Sequence, residues 1–417
     1  MNPILPSETW RRNQLAICVA AGLLFFGFTL AMPFLPYFIE SLGVHGPRVQ
    51  VWSGLVLFTA PFLAALMGPI WGRLTDRYGM KIMIQRIVIA MILHWLLMYF
   101  VGSIAHLMVL RVMLGVFSGF GTISVALVTH GVPRERVGEV VGSLQSTQIL
   151  SAAAGPAVGG VLFDHFGLRP TFLITAGICG LGFLLVTFAY REVQPGAAAA
   201  APGGPAPISL RSILTRPGLL PLLGLLFFAA LVDRSFGVVV PLVIQDLAPA
   251  GAALGTWSGL TVSGGAFAGS LSAVALGRIA RRGRPRRLMQ LSLLGGAALL
   301  GGMAAAGSAG GFAALRVGYG LAAGGLLTLG YTVAAELVGE SGRATSYGFL
   351  SGGAMMGGAL GPLLAGIAAP WIGFRGFLLA AAVVSMLLAF LARGDVRRER
   401  DRVAEAGPMG PYIPLPR

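Results

Sequence analysis

Asp233 and Arg234 stand side by side in the middle of a long apolar run, the only acid and base so placed in this 417-residue chain. Neighbours on a helix point about 100° apart, so the two do not simply neutralise each other. Each needs a partner on another element, or water. An aspartate held between burial and a nearby cation can bind and release a proton. Asp233 therefore reads either as a reversible proton carrier or as one side of an ion pair between helices. Arg111 and Arg316 also lie inside apolar runs, each within Leu-Arg-Val. Arg111 sits about 9 Å from the outer end of its run by helical rise, where a charge is costly unless it faces a cavity or a partner. Its other reading is a side chain reaching to the headgroups. Glu40, at the end of the first run, is placed either to exchange protons with Arg111 or to sit at the interface. His94 reads as a packing histidine. Phe28, Tyr37, Phe120, Phe236 and Tyr331, with Arg316, offer lining for a large apolar substrate.

Such residues need elements to hold them. The chain is 56% hydrophobic and 11% charged, against roughly 25% charged in soluble domains. Twelve helices are predicted at roughly 14–40, 49–72, 82–102, 105–129, 141–163, 170–190, 217–245, 254–278, 287–307, 310–335, 344–367 and 371–393, each near the ~20 residues that span a bilayer. The formal charge of +15 lies between apolar runs rather than on a soluble face, so lipid rather than nucleic acid is the partner. One side carries Arg11, Arg12, Arg73, Arg77, Lys81, Arg86, Arg134, Arg136 and the arginines of 278–287; the other carries only Arg48, Arg169 and Arg375. This asymmetry predicts both termini in the cytoplasm. Arg11-Arg12 before an apolar run resembles a signal peptide, but that run is too long and has no small-residue cleavage site. Cys18 and Cys179 fall inside apolar runs as buried small residues, and no Cys/His cluster points to a metal.

The chain is one unit written twice in the same direction. Trp52-Ser53-Gly54-Leu55 returns as Trp257-Ser258-Gly259-Leu260, 205 residues later, and Leu110-Arg111-Val112 as Leu315-Arg316-Val317. After one inserted residue the offset is 206, and Gly155-Pro156 returns as Gly361-Pro362. Parallel repeats of hydrophobic segments mark secondary transporters whose substrate site lies between the halves. The expected organisation is a six-helix bundle over 1–193, an Ala/Pro/Gly-rich tether over 194–215, and a second bundle over 216–417 ending in a disordered tail.

Between the second and third helices the chain reads Gly72-Arg73-Leu74-Thr75-Asp76-Arg77-Tyr78-Gly79-Met80-Lys81. This resembles the cytoplasmic loop signature of the major facilitator superfamily, with Met80 where a second basic residue is common. The resemblance implies that Asp76 latches the halves together, supported by Arg77 and Lys81; the other reading of these bases is orientation and contact with anionic lipid. The second-half counterpart from Gly277 to Arg284 has no acid. Leu110 to Gly115 resembles the family's fourth-helix signature, in which the arginine tunes proton exchange. Gly155-Pro156-Ala157-Val158-Gly159-Gly160 resembles the fifth-helix motif of exporters that exchange substrate for protons. Pro156 breaks a backbone bond there, and the three glycines admit another backbone.

The resemblance covers nearly the whole chain and is closest to the twelve-helix drug:proton antiporters. It implies an all-α membrane protein in two parallel-repeat bundles, monomeric and multi-pass in the bacterial inner membrane. The implied work is export of small amphipathic molecules by alternating access, with protons as co-substrate and the proton gradient, not a cofactor, as energy source. A symporter or uniporter importing a sugar or other metabolite shares the fold; a non-transporting membrane sensor is a more distant reading. No HExxH or GxSxG pattern supports an enzyme.

Overall fold

The computed structural model describes residues 7–191, 218–280, 284–337 and 343–405, without the side chains of 7–9, 76, 121, 122, 134, 343–345 and 393–405. The expected tether at 194–215 and the expected disordered tail, Gly407 to Arg417, lie outside the described residues. Those described form helices and turns, with no strand among them. Ten helices are long and apolar enough to cross a membrane. One of these, Ser346–Ala392, holds two spans, because Gly373 at φ 68° and ψ 168° reverses the chain inside it. A further crossing is built from Ile104–Phe117 and Phe120–Thr129. The result is twelve spans among the described residues.

Local chemistry sets the boundaries. The first span runs Ser7–Ala31, then a 3-10 turn Met32–Phe34, then Leu35–Ser41. Pro33 and Pro36, lacking an N–H, stand at the starts of the two short pieces and account for the change of winding. The second span, Pro47–Tyr78, reaches past the expected residue 72 because Trp71 and Leu74 still pack on the core. Gly79, at φ 88°, then turns the chain into the third span, Met80–Met98. The fourth span breaks at Gly119, φ 128°. Its counterpart in the second half breaks at the equivalent place, between Ala309–Ala323 and Leu326–Leu337. A continuous fourth or tenth helix is the expectation; the positive φ of Gly119 accounts for the first break, while Gly324 keeps helical angles, φ −61° and ψ −24°.

The remaining spans are the fifth, Val137–Phe166; the sixth, Leu168–Leu184 with a π turn Leu185–Ala189; the seventh, Leu219–Leu247; the eighth, Leu254–Ala280; and the ninth, Pro285–Ala305. Ala309–Leu337 is the tenth, and Ser346–Ala392 holds the eleventh and twelfth. In the first half the first span packs on the fifth and sixth. In the second half the seventh packs on the eleventh, and the ninth on the twelfth. Arg169 ends the third span from the sixth, donating to Tyr99 O and Val101 O at 3.1 Å each.

The halves meet mainly at two crossings, fifth span on eighth and second span on eleventh, with smaller contacts of the first and second spans on the seventh and of the first on the eighth. The repeat relates these crossings residue by residue. A Cβ on Gly54 would lie 2.7 Å from Pro362 O, and one on Gly259 would overlap Pro156 O. Gly160 is set against Gly255 O, and Gly366 against Gln50 O. Gly54 and Gly259 are repeat mates; so are Pro156 and Pro362, Gly160 and Gly366, and Gln50 and Gly255. Only a hydrogen side chain lets two helices approach this closely.

Both crossings lie toward the arginine-poor face. Further along the same spans, toward the arginine-rich face, Gly68, Gly72, Gly138, Gly142, Gly348 and Gly352 have nothing within 4 Å of where a Cβ would stand. The halves are closed at one face and parted at the other.

Candidate functional site

Asp233 and Arg234 lie on the seventh span, four and three residues before Gly237, which a helix places on the same face. Gly237 has Leu57 of the other half 3.4 Å from its Cβ position. The pair therefore sits one turn from a contact between the halves, on its arginine-rich side. The Arg234 stem lies over Gly358 of the eleventh span, its Cγ 3.1 Å from the Cβ position there.

Asp233 finds its partner on the tenth span. Arg316 Nη2 donates to Asp233 Oδ1 at 3.2 Å; the arginine side chain is 5% exposed and the aspartate 58%. The Arg316 guanidinium lies over the Phe236 ring at 4.1 Å and near Tyr319 at 5.6 Å, while Gly265 leaves it room from the eighth span. Ring faces stabilise a cation whose carboxylate partner is partly exposed. Arg316 Nε has no partner. The buried cation thus has a half-exposed carboxylate as its ion-pair partner.

Arg111, the repeat mate of Arg316, is fully buried and does not extend to headgroups. Its Nη2 points to Met32 Sδ at 3.3 Å, a weak acceptor, and its Nε is unpartnered. Phe28 stands where the second half has Asp233, and it packs edge-on to Trp95. The structure does not bring Glu40 and Arg111 together: Glu40 Oε2 accepts from Gln245 Nε2 at 2.9 Å, across the halves. His94 is buried with Nδ1 3.1 Å from Leu110 O.

The aromatic residues divide. Phe28 and Tyr331 are half-buried, Tyr331 edge-on to Tyr347. Phe120 is buried beside Phe25, and Phe236 lies beneath Arg316. Tyr37 is a closure residue rather than open lining, its hydroxyl 2.6 Å from Pro241 O and 2.9 Å from Ser258 Oγ.

In the loop motif, Gly79 makes the turn while Gly72 stands uncovered. Arg77 is exposed beside the Tyr78 ring, and Lys81 Nζ donates to Tyr190 O at 3.0 Å, tying the third span to the sixth. The Asp76 side chain lies outside the described residues. In the fifth span Gly155 meets Thr29 and Phe26 O, and Gly159 meets Leu30 O and Phe34, all of the first span in the same half. Gly160 alone of the three faces the other half. Sequence reasoning missed Asp164, which binds the start of the eighth span, and it missed Gln245, Gly366 and the role of Gly54 and Gly259. The last two stood in the repeated tetrapeptide, so the signal was present.

Residues 17–311 and 222–412 match the profile of the Major Facilitator Superfamily. Multidrug resistance protein MdtG of Salmonella typhimurium is 31% identical over 96% of this chain and 99% of its own length. MdtG of Salmonella arizonae is 32% identical with the same coverage. Among solved structures, a bacterial homolog of the human lysosomal transporter Spinster, in an inward-facing and occupied conformation, aligns with a TM-score of 0.79 at 17% identity, covering 93% of this chain and 98% of that one. The nucleoside transporter NupG aligns at 0.70 and 15% identity, covering 92% and 98%. These structural likenesses speak to the fold.

Proposed function

This chain belongs to the Major Facilitator Superfamily, a family of transporters rather than enzymes, and we propose that it is a proton-driven exporter of small amphipathic molecules. The relatives named for multidrug resistance support the substrate class and direction. The observation that carries proton coupling is the Asp233–Arg316 pair at 3.2 Å, one turn from the Gly237–Leu57 contact between the halves. The arginine distribution supports an arginine-rich face toward the cytoplasm, both termini inside, in a bacterial inner membrane. The chain acts as a monomer, its two halves rocking about the interior site.

In this reading the arrangement described here is inward-open. The proton has left Asp233 toward the cytoplasm, the carboxylate is ionised, and Arg316 holds it. Substrate enters the wedge beside Arg234, Phe28 and Tyr331. When the chain opens outward, a proton arriving from outside binds Asp233, frees it from Arg316 and favours release of substrate there. Asp76 then closes the inner face, covering the Gly72 region that is open in the inward state. A proton moves in for substrate moving out, and no other energy source takes part.

The test is accumulation of a panel of dyes and drugs in cells with and without a proton uncoupler. Lower accumulation that the uncoupler abolishes supports export. Uptake raised by the chain, or efflux indifferent to the uncoupler, contradicts it.

A further inference from the structure

Asp164 is out of place for its own helix. It stands in the last turn of Val137–Phe166, where the backbone carbonyls form a negative end and a carboxylate is unfavourable. Its oxygens reach across to the other half instead. Oδ1 accepts from Gly255 N–H at 2.9 Å, and Oδ2 accepts from Thr256 N–H at 2.7 Å and from the Thr256 hydroxyl at 2.6 Å. Those amides open Leu254–Ala280, so Asp164 caps the eighth span from another bundle. All three bonds lie between the halves and none within one. Two more join the same seam: Ser263 Oγ accepts from Ala157 N–H at 2.9 Å, and Tyr37 meets Ser258.

The second crossing matches the first in backbone but not in these polar ties. The offset of 206 puts Pro370 where Asp164 would stand, and Leu242 is the repeat mate of Tyr37. Ser53, the mate of Ser258, has a buried hydroxyl with no partner, and so does Gln50 Oε1. Buried polar atoms left unbonded weaken a seam.

We propose that the two crossings divide the work of closure: the fifth–eighth crossing is a lock with Asp164 as its latch, and the second–eleventh crossing is a seam that parts once the lock is released. The proposal rests on alternating access. The three bonds of the Asp164 carboxylate all go to the other half, so removing it should loosen closure rather than folding, and it relieves an unfavourable charge at the end of the fifth span.

The experiment places Ser53→Cys in a chain with Cys18→Ser and Cys179→Ser, and measures its labelling by a membrane-impermeant maleimide from outside the cell. Losing a helix cap shifts the open population, so Asp164→Ala should raise the labelling rate by roughly two- to thirtyfold. Asp164→Asn and Thr256→Val, which keep part of the bonding, should fall between. Gln50→Ala, on the seam, should change it less than about twofold, since that side chain oxygen holds nothing. The melting temperature of Asp164→Ala should be unchanged within about 2 °C or raised. Unchanged labelling in Asp164→Ala overturns the latch, as does an equal rise in Gln50→Ala. A lower melting temperature without a labelling rise makes Asp164 an ordinary stabilising cap. Dye efflux by the unsubstituted chain is measured in the same cells: efflux intact with no latch effect defeats this proposal alone, whereas a chain that moves no dye and is never labelled from outside defeats the transport reading beneath it.

Discussion

Adding one methyl group at Gly54 should open the chain outward. A Cβ there stands 2.7 Å from Pro362 O, and 3.2 Å from the Cα atoms of Leu363 and Gly366. All three are backbone atoms, so no side chain can swing away and the two spans must separate. Overpacking of this kind costs about 1–3 kcal/mol. Alanine is also a better helix former than glycine by roughly 0.5–1 kcal/mol, and the two effects must be weighed. The helical gain is present in both conformations and cancels from their ratio. The clash exists only while the arginine-poor face is closed. The outward-open population should therefore rise by about five- to 150-fold, at 1.4 kcal/mol per tenfold. Gly259→Ala, overlapping Pro156 O at the repeat-related place, should act in the same direction. Gly177→Ala, on the sixth span away from both crossings and with nothing within 4 Å, is the control. Distances between spin labels on the two halves at the arginine-poor face report the shift. A Gly54→Ala chain with the unsubstituted distance distribution refutes the steric reading of the crossings.

Gly159→Leu meets Leu30 O and Phe34 inside its own half, so it should lower the melting temperature or the yield of folded protein rather than shift the two conformations; a normally folded variant with a shifted population contradicts this. Tyr37→Phe removes a hydroxyl that bonds Pro241 O and Ser258 Oγ. At about 1 kcal/mol per bond lost, the closed face should weaken roughly five- to thirtyfold, read as faster outside labelling of Ser53→Cys, with unchanged labelling as the contrary result.

Much of this architecture was legible in the sequence because its causes are local. Spans follow from hydropathy, and the two halves from a tetrapeptide that returns after 205 residues. The repeat held more than was read from it. Residues near a two-fold axis between halves meet their own mates, and Glu40 bonds Gln245, its equivalent at that spacing. The pairing of Asp233 with Arg316 was not legible. It joins residues 83 apart and depends on Gly265 leaving space for a guanidinium. Arg111 has the same flanking residues as Arg316 yet no acid, since Phe28 replaces the aspartate. Asp164 gave no signal at all, because an acid near a helix end looks like any surface residue until the helix it caps is in place.

The central claim is that Asp233 carries the proton that drives export. Inverted membrane vesicles energised to make their lumen acidic should accumulate a dye substrate through the unsubstituted chain, and the accumulation should collapse when the gradient is dissipated. Asp233→Asn keeps an oxygen to accept from Arg316, so the protein should fold and reach the membrane in normal amount. It loses the titrating group, and gradient-driven uptake should fall to the level of empty vesicles at every pH from about 6 to about 8, while dye moving down its own gradient should still be carried by counterflow. Full gradient-driven uptake by well-expressed Asp233→Asn across that range contradicts the account.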